Sequence, residues 1–207
     1  MALSIDLCIN LRKDILQGRL QQGEKLTEQK ICDEYGVSRT PVREAFRQLE
    51  LEGFIDTIPN RGAFVAGFSA QEIQDMYELR KSYEILAVEW AIVRISDEEL
   101  YKLEEAFEFM EFYTQKNDAE KMLNINMAFH ELIYKASHNR ILYNVLSSYQ
   151  FYIKHSKGSR SYVTDYLVKV LEEHRAIFEA FKNRDVEAGI QAASRHLNNA
   201  KQRANCL

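Results

Sequence analysis

The chain has 207 residues, with 27 Lys+Arg against 31 Asp+Glu for a formal net charge of −4, two prolines, eight glycines and three cysteines. That length holds two small domains, and the mild acidity excludes a protein that grips nucleic acid through overall charge. Cysteines without paired spacing exclude a disulfide framework, and no apolar run approaches the roughly 18 residues that a spanning helix needs.

A first helix is predicted from about Ser4 to Gln17, with Leu7, Leu11 and Ile15 on one face and Gly18 as its stop. A short second helix follows Thr27, with Ile31, Cys32 and Tyr35 inward and Gly36 as a left-handed C-cap. The stretch Gly36–Ala45 reads as the turn and start of a DNA-recognition helix. Ser38 is its N-cap, and Pro41 falls at the third helical position, where a missing N–H costs no intrahelical bond. Arg39, Arg43 and Arg47 recur every four residues and share one side. Val42, Ala45, Phe46 and Leu49 form the apolar side. Arginine can pair with both acceptors of guanine in the major groove, so this helix suits that groove. Gly53 ends it. Phe54–Ile58 and Ala63–Val65 read as two strands, joined by the turn residues Pro59, Asn60, Arg61 and Gly62. This is a β-hairpin wing with an arginine at its tip. An arginine-bearing solvated face is the alternative for the helix taken alone.

Residues 11–65 resemble the winged helix-turn-helix of GntR-type bacterial transcription regulators, from Ile15–Leu20 through Gly23–Glu28 and Gly36–Leu49 to Asn60–Val65. The resemblance implies DNA contacts at Ser38, Arg39, Thr40, Arg43, Asn60, Arg61 and Gly62. Gln29 stands where many relatives carry a DNA-approaching arginine, which implies a weaker or altered contact there. Residues 1–66 carry nine basic and ten acidic residues. Affinity must therefore come from local placement of charge and from two heads acting together. A homodimer on a roughly palindromic, double-stranded operator is the expectation.

Both prolines and six of the eight glycines precede residue 68, leaving only Gly158 and Gly189 beyond it. Long helices follow from that scarcity of breakers. We place a winged helix-turn-helix domain at 1–67 and a helical effector-binding and dimerisation domain at 68–207. The fold class is mainly α, with an antiparallel bundle of about six helices in the second domain. These begin at Ser69 (a capping-box-like start), Ser96, Asp118, Asn139, about Tyr162 and Asp185. In the first, Ile73, Met76, Tyr77, Leu79, Tyr83, Leu86, Ala87 and Trp90 form an apolar stripe. Helices one and four of this set carry more apolar surface than one core of that size needs, so dimerisation is expected there.

Five histidines lie in this half: His130, His138, His155, His174 and His196. Asn126 and His130 are four apart on one helix and point the same way. His174 and His196 are central in two other helices. Three neutral imidazoles and an oxygen ligand suit a divalent transition metal, zinc or nickel. Separate core or surface histidines are the alternative. His138 reads as a helix boundary and His155 as surface or cavity wall.

The segments Asn126–His130, Glu173–Ile177 and Arg195–Leu197 resemble the effector domain of the FadR-like branch of the GntR family, with Arg80 and Glu84 fitting its first helix. The resemblance implies one metal on an aspartate and three histidines, completed by a small carboxylate effector. Here Asn126 replaces the aspartate, which implies a weaker ligand without charge. Arg80 reads either as a surface ion pair or as a clamp for an effector carboxylate, with Tyr77 and Tyr149 as cavity wall. The whole reads as a ligand-responsive transcription regulator, more in keeping with a repressor by family habit. A metal-dependent helical enzyme is a second reading. It lacks an obvious base, because Glu173 points about 100° away from His174. A DNA-binding protein with a vestigial effector domain is a third. No secretion signal pattern is seen, so the cytoplasm is the expected location.

Overall fold

The computed structural model describes residues 2–66, 70–156 and 164–205, excepting the side chains of residues 2, 3, 70, 73, 152–156, 164, 165, 204 and 205. Two units result, Met1–Ile73 with Tyr152–Gly158, and Gln74–Phe151 with Ser159–Leu207.

Among the described residues up to Val65, the first unit contains α1 (Ala2–Leu16), β1 (Lys25–Leu26), α2 (Glu28–Tyr35), α3 (Arg39–Leu51), β2 (Ile55–Ile58) and β3 (Gly62–Val65). Leu7, Leu11 and Ile15 of α1 are buried with Ile31, Val42, Ala45 and Leu49 in one core. Phe46, Cys32 and Tyr35 pack only partly against it. The corner between α2 and α3 is made by Gly36, whose φ of 64° lies in the left-handed region that a side chain disfavours. Thr27 caps α2 by accepting from the Lys30 amide. Ser38 occupies the N-cap of α3 with extended backbone, but its hydroxyl makes no capping bond. The expected capping bond is thus absent, although the position is right.

The hairpin forms as expected, with Ile55 opposite Val65 and Ile58 opposite Gly62. Its turn closes through the Arg61 amide donating to Ile58 O at 3.0 Å, with Asn60 at φ 61°. A third strand was not anticipated. β1 pairs antiparallel with β3, in the order β1-β3-β2, through Lys25–Phe64 and Leu26–Ala63. Two residues are too few to carry a period-two pattern.

Six further helices lie among the described residues, mainly in the second unit: α4 (Ala70–Arg94), α5 (Asp97–Gln115), α6 (Ala119–Ala136), α7 (Arg140–Ser156), α8 (Thr164–Lys182) and α9 (Val186–Asn205). Caps mark most starts. Ser96 and Glu99 form a complete capping box, Asp118 accepts from Lys121, and Asn139 Oδ1 accepts from the Ile141 and Leu142 amides. The capping box expected at Ser69 and the helix start expected at Tyr162 lie outside the described residues.

Phe107, Met110, Phe129, Ile133, Tyr134, Leu146, Leu167, Phe178 and Phe181 anchor this core. Gly189 lets α9 approach α4 closely, because a Cβ there would collide with Ile92 and sit 3.2 Å from Val88. The α4 stripe is corrected by the structure. Leu79 and Tyr83 are 50% and 36% exposed, while Tyr77, Arg80, Glu84, Ala87, Val88, Ala91 and Ile92 face inward. A buried charged pair therefore stands where periodicity placed leucine and tyrosine.

Candidate metal centre and nucleic-acid interface

His130 on α6, His174 on α8 and His196 on α9 converge inside the second unit. All three are buried, and one potential ligand nitrogen from each lies within 4.8 Å of the others. Their ring centroids are 4.4–5.3 Å apart.

Every Nδ1 faces an acceptor. His174 Nδ1 lies 2.7 Å from Val170 O, His196 Nδ1 lies 2.8 Å from Glu173 Oε2, and His130 Nδ1 lies 3.3 Å from Glu84 Oε2. A proton on each Nδ1 leaves each Nε2 as a bare lone pair. His130 Nε2 and His174 Nε2 are only 3.0 Å apart. Two lone pairs at that distance repel unless a cation or proton lies between them.

The supporting carboxylates are themselves held. Glu84 accepts from Arg80 Nε at 2.5 Å and from the Tyr134 hydroxyl at 2.7 Å. Glu173 receives both terminal nitrogens of Arg203 at 2.8 Å and Asn199 Nδ2 at 2.8 Å. Burial alone would raise the Glu84 carboxyl, but the Arg80 and His130 partners overcome it and hold it well below the usual range. Burial acts the same way on Glu173, and its hydrogen bonds from Arg203, His196 and Asn199 bring it down to about 2. Burial pushes His174 well below 6.5 and His196 down to about 4. Both rings are thus neutral at pH 7, the form that binds metal.

Asn126 lies one turn before His130 on α6. Its Oδ1 is buried and has no hydrogen-bond partner. An orphaned carbonyl oxygen in a protein interior is uncommon and costly. The oxygen and the three imidazoles together fit a divalent cation in donor type.

These shifts predict acid lability for the metal-free chain. Unfolded histidine takes a proton near 6.5, whereas the folded His196 ring resists until about 4. Stability is therefore complete above 6.5 and falls as pH drops below it, by up to about tenfold in the unfolding constant per pH unit for each such ring. The Glu173 contribution adds to the loss from its ordinary 4.5 down to about 2. Urea midpoints at pH 7.5, 6 and 5 check this; a flat profile contradicts it.

Arg80 was expected at the surface or as an effector clamp. The structure places it in a buried ion pair, through which it steadies Glu84 and so His130. Tyr77 is buried, and Tyr149 stacks on Tyr83 at 6.2 Å. Tyr134, Arg203 and Asn199 were missed by sequence reasoning. Glu173, set aside because it points away from His174, instead supports His196 across the helix pair. His138 sits at a helix end with φ 48° and contacts Glu99 at 3.0 Å. The His155 side chain lies outside the described residues.

The recognition face belongs to the first unit. Arg39, Thr40, Arg43 and Arg47 are exposed along α3, and Asn60, Arg61 and Gly62 are exposed at the wing tip. A cleft of about 410 Å³ opens between α3 and the hairpin, lined by Thr27, Glu28, Arg43, Arg47, Thr57 and Arg61 among others. Arg39 donates to Gln29 Oε1 at 3.1 Å, and Gln29 in turn donates to Asp33 at 2.8 Å. Arg43 Nε donates to Glu28 Oε1 at 2.7 Å.

A winged helix-turn-helix, together with a helical unit that gathers three buried histidines, fits the architecture of a DNA-binding regulator. The family comparisons agree: residues 7–65 match the model of bacterial regulatory proteins, gntR family, and residues 75–199 match the FCD domain. The chain belongs to the gntR family, in its FCD-bearing, FadR-like branch. It is 35% identical over 191 residues to the uncharacterized HTH-type transcriptional regulator YdhC of Bacillus subtilis, covering 91% of this chain and 84% of that one. The galactonate operon transcriptional repressor of Escherichia coli is 28% identical, covering 90% of each chain. The gluconate operon transcriptional repressor of Bacillus subtilis is 27% identical, covering 98% of this chain and 85% of that one. Among solved structures, Escherichia coli McbR/YncC shares the fold with a TM-score of 0.72 at 22% identity, covering 97% and 95% of the two chains. No described helix is long and apolar enough to cross a membrane.

Proposed function

We propose that this chain is a cytoplasmic, homodimeric repressor that binds double-stranded operator DNA and responds to a small carboxylate through a divalent zinc or nickel ion. The reading assigns residues 1–67 to DNA and 68–207 to effector binding and dimerisation. The observation that carries it is the convergence of three buried imidazoles, with the unpartnered Asn126 oxygen one turn before His130 on the same helix, in a chain whose other unit is a winged helix-turn-helix. His130, His174, His196 and Asn126 hold the metal. A divalent ion there supplies a Lewis-acidic centre to which a carboxylate can attach. Two relatives are named for galactonate and gluconate operons, and both compounds are sugar acids, which supports a carboxylate effector.

Arg80 acts chiefly as the support of Glu84, with Tyr77 and Tyr149 near the effector's path. The enzymatic alternative is disfavoured by the electrostatics. Glu84 and Glu173, the carboxylates that touch the imidazoles, are each held by an arginine and are poorly placed to accept a proton. On DNA, Ser38 and Thr40 suit phosphate, Arg39 and Arg43 base edges, and Gln29 a position next to Arg39. The free Ser38 hydroxyl fits that assignment. Purification of the untagged protein, with mass spectrometry of what accompanies it, tests the reading. A divalent metal with an organic acid supports it; neither, from a folded and DNA-binding protein, contradicts the sensor half.

The dimer surface is proposed on α4. Leu79, Tyr83, Leu86, Trp90 and Val93 repeat at alternating spacings of four and three, the pattern of a helix seam. Leu79 and Val93 are 50% and 71% exposed. The full-length chain should sediment as a dimer at micromolar concentration, and Leu79→Glu with Val93→Glu should make it monomeric. A double variant that stays dimeric moves the interface elsewhere.

A further inference from the structure

Glu28 is absent from the DNA contacts that the family resemblance implies, yet it touches Arg43, an exposed arginine of the recognition helix. It opens α2 directly after the Thr27 cap, so its backbone is fixed. Its Oε1 accepts from Arg43 Nε at 2.7 Å, and both residues line the cleft beside the hairpin. Its neighbour Gln29 accepts from Arg39. One turn of α2 therefore offers one acceptor to each of two recognition arginines, a neutral one to Arg39 and a charged one to Arg43.

The chemistry of guanidinium makes that difference matter. Its five N–H donors form a fixed fork. With Nε engaged by Glu28, the terminal amino pair remains for an end-on bidentate approach to guanine O6 and N7. A free Arg43, by contrast, would meet any phosphate within reach. The Glu28 charge also opposes phosphate oxygens directly.

We infer that Glu28 is a specificity-determining residue: it holds Arg43 through Nε, reserves the terminal amino groups for a base edge, and suppresses contacts to the DNA backbone. The inference rests on α3 being the DNA-reading helix. It differs from simple masking, in which Glu28 would only lower all DNA affinity.

The test compares wild type, Glu28→Ala, Glu28→Gln and Arg43→Ala as full-length proteins. Each is titrated with a genomic fragment selected by the wild type and with random duplex of equal length, at two salt concentrations. Circular dichroism checks the fold. For Glu28→Ala, affinity for the selected fragment should fall about tenfold, the scale of one bidentate contact. Its affinity for random duplex should rise several-fold. Its salt slope on random duplex should steepen by about one, as Arg43 takes a phosphate. Glu28→Gln keeps the acceptor oxygen and loses the charge, so it should keep most of the preference while binding random duplex more tightly.

A specific-to-random ratio unchanged in both Glu28 variants overturns the inference. So does a parallel rise of both affinities, which is masking alone. If Arg43→Ala loses preference while the Glu28 variants match wild type, only the inference fails. If Arg43→Ala keeps full affinity and preference, the reading of α3 fails and the inference with it.

Discussion

Arg43→Ala removes sequence preference for the operator and leaves the fold intact. The side chain is exposed on α3, with Glu28 as its partner, so no core packing is lost. One bidentate contact to guanine is worth about a tenfold to hundredfold in affinity at each half-site. Two half-sites on a dimer compound the loss. Gel shifts on a genomic fragment selected by the wild type read it directly. Unchanged affinity together with unchanged preference removes Arg43 from base recognition. Arg61→Ala is the companion. If the wing tip touches phosphate, that variant weakens all duplexes alike and keeps the preference.

Asn126→Asp tightens metal binding, and His174→Ala abolishes it. The aspartate would place a negative charge one turn before His130 on α6, where Asn126 now leaves a buried, unpartnered oxygen. A carboxylate ligand attracts a divalent ion that an amide only solvates. The expected gain is tenfold or more. The same substitution should destabilise the metal-free protein, since a buried carboxylate without a cation is costly. Metal addition should therefore raise the melting temperature of Asn126→Asp more than that of the wild type. Equal shifts in the two proteins would remove Asn126 from the ligand set. His174 sits at the centre of the cluster, 3.0 Å from His130, and its loss leaves two imidazoles. Because His174→Ala opens a buried space, its circular dichroism and its DNA binding serve as fold controls.

Legibility followed the physics of each element. The recognition helix and its corner were readable because they depend on local chemistry: Gly36 at positive φ, an N-cap residue at Ser38, Pro41 within the first turn. The histidine cluster was readable in outline through the resemblance of its three segments to the family's effector domain; the i, i+4 pair Asn126–His130 and two mid-helix rings, taken alone, left separate core or surface histidines open. What supports those rings was less readable. Glu173 was set aside by a rotation argument that holds within one helix, yet α9 packs beside α8 and brings His196 to it. Arg80 and Glu84 sit on the inward face of α4, where apolar periodicity has no means of registering a buried ion pair. That same helix is apolar on both sides, so Leu79 and Tyr83 could not be told from core residues by pattern alone. β1 was invisible because its two residues owe their conformation to pairing with β3, a contact made across more than 35 residues of chain.

The most direct measurement is the metal stoichiometry of the untagged chain. The protein is stripped with a chelator, then titrated with zinc and with nickel by calorimetry. The account predicts one ion per chain at micromolar or lower dissociation constant, with proton release small at pH 7.5 because His174 and His196 are already neutral. Failure of either ion to bind a folded chain at micromolar concentration would contradict it, and the three imidazoles would then line a purely organic pocket.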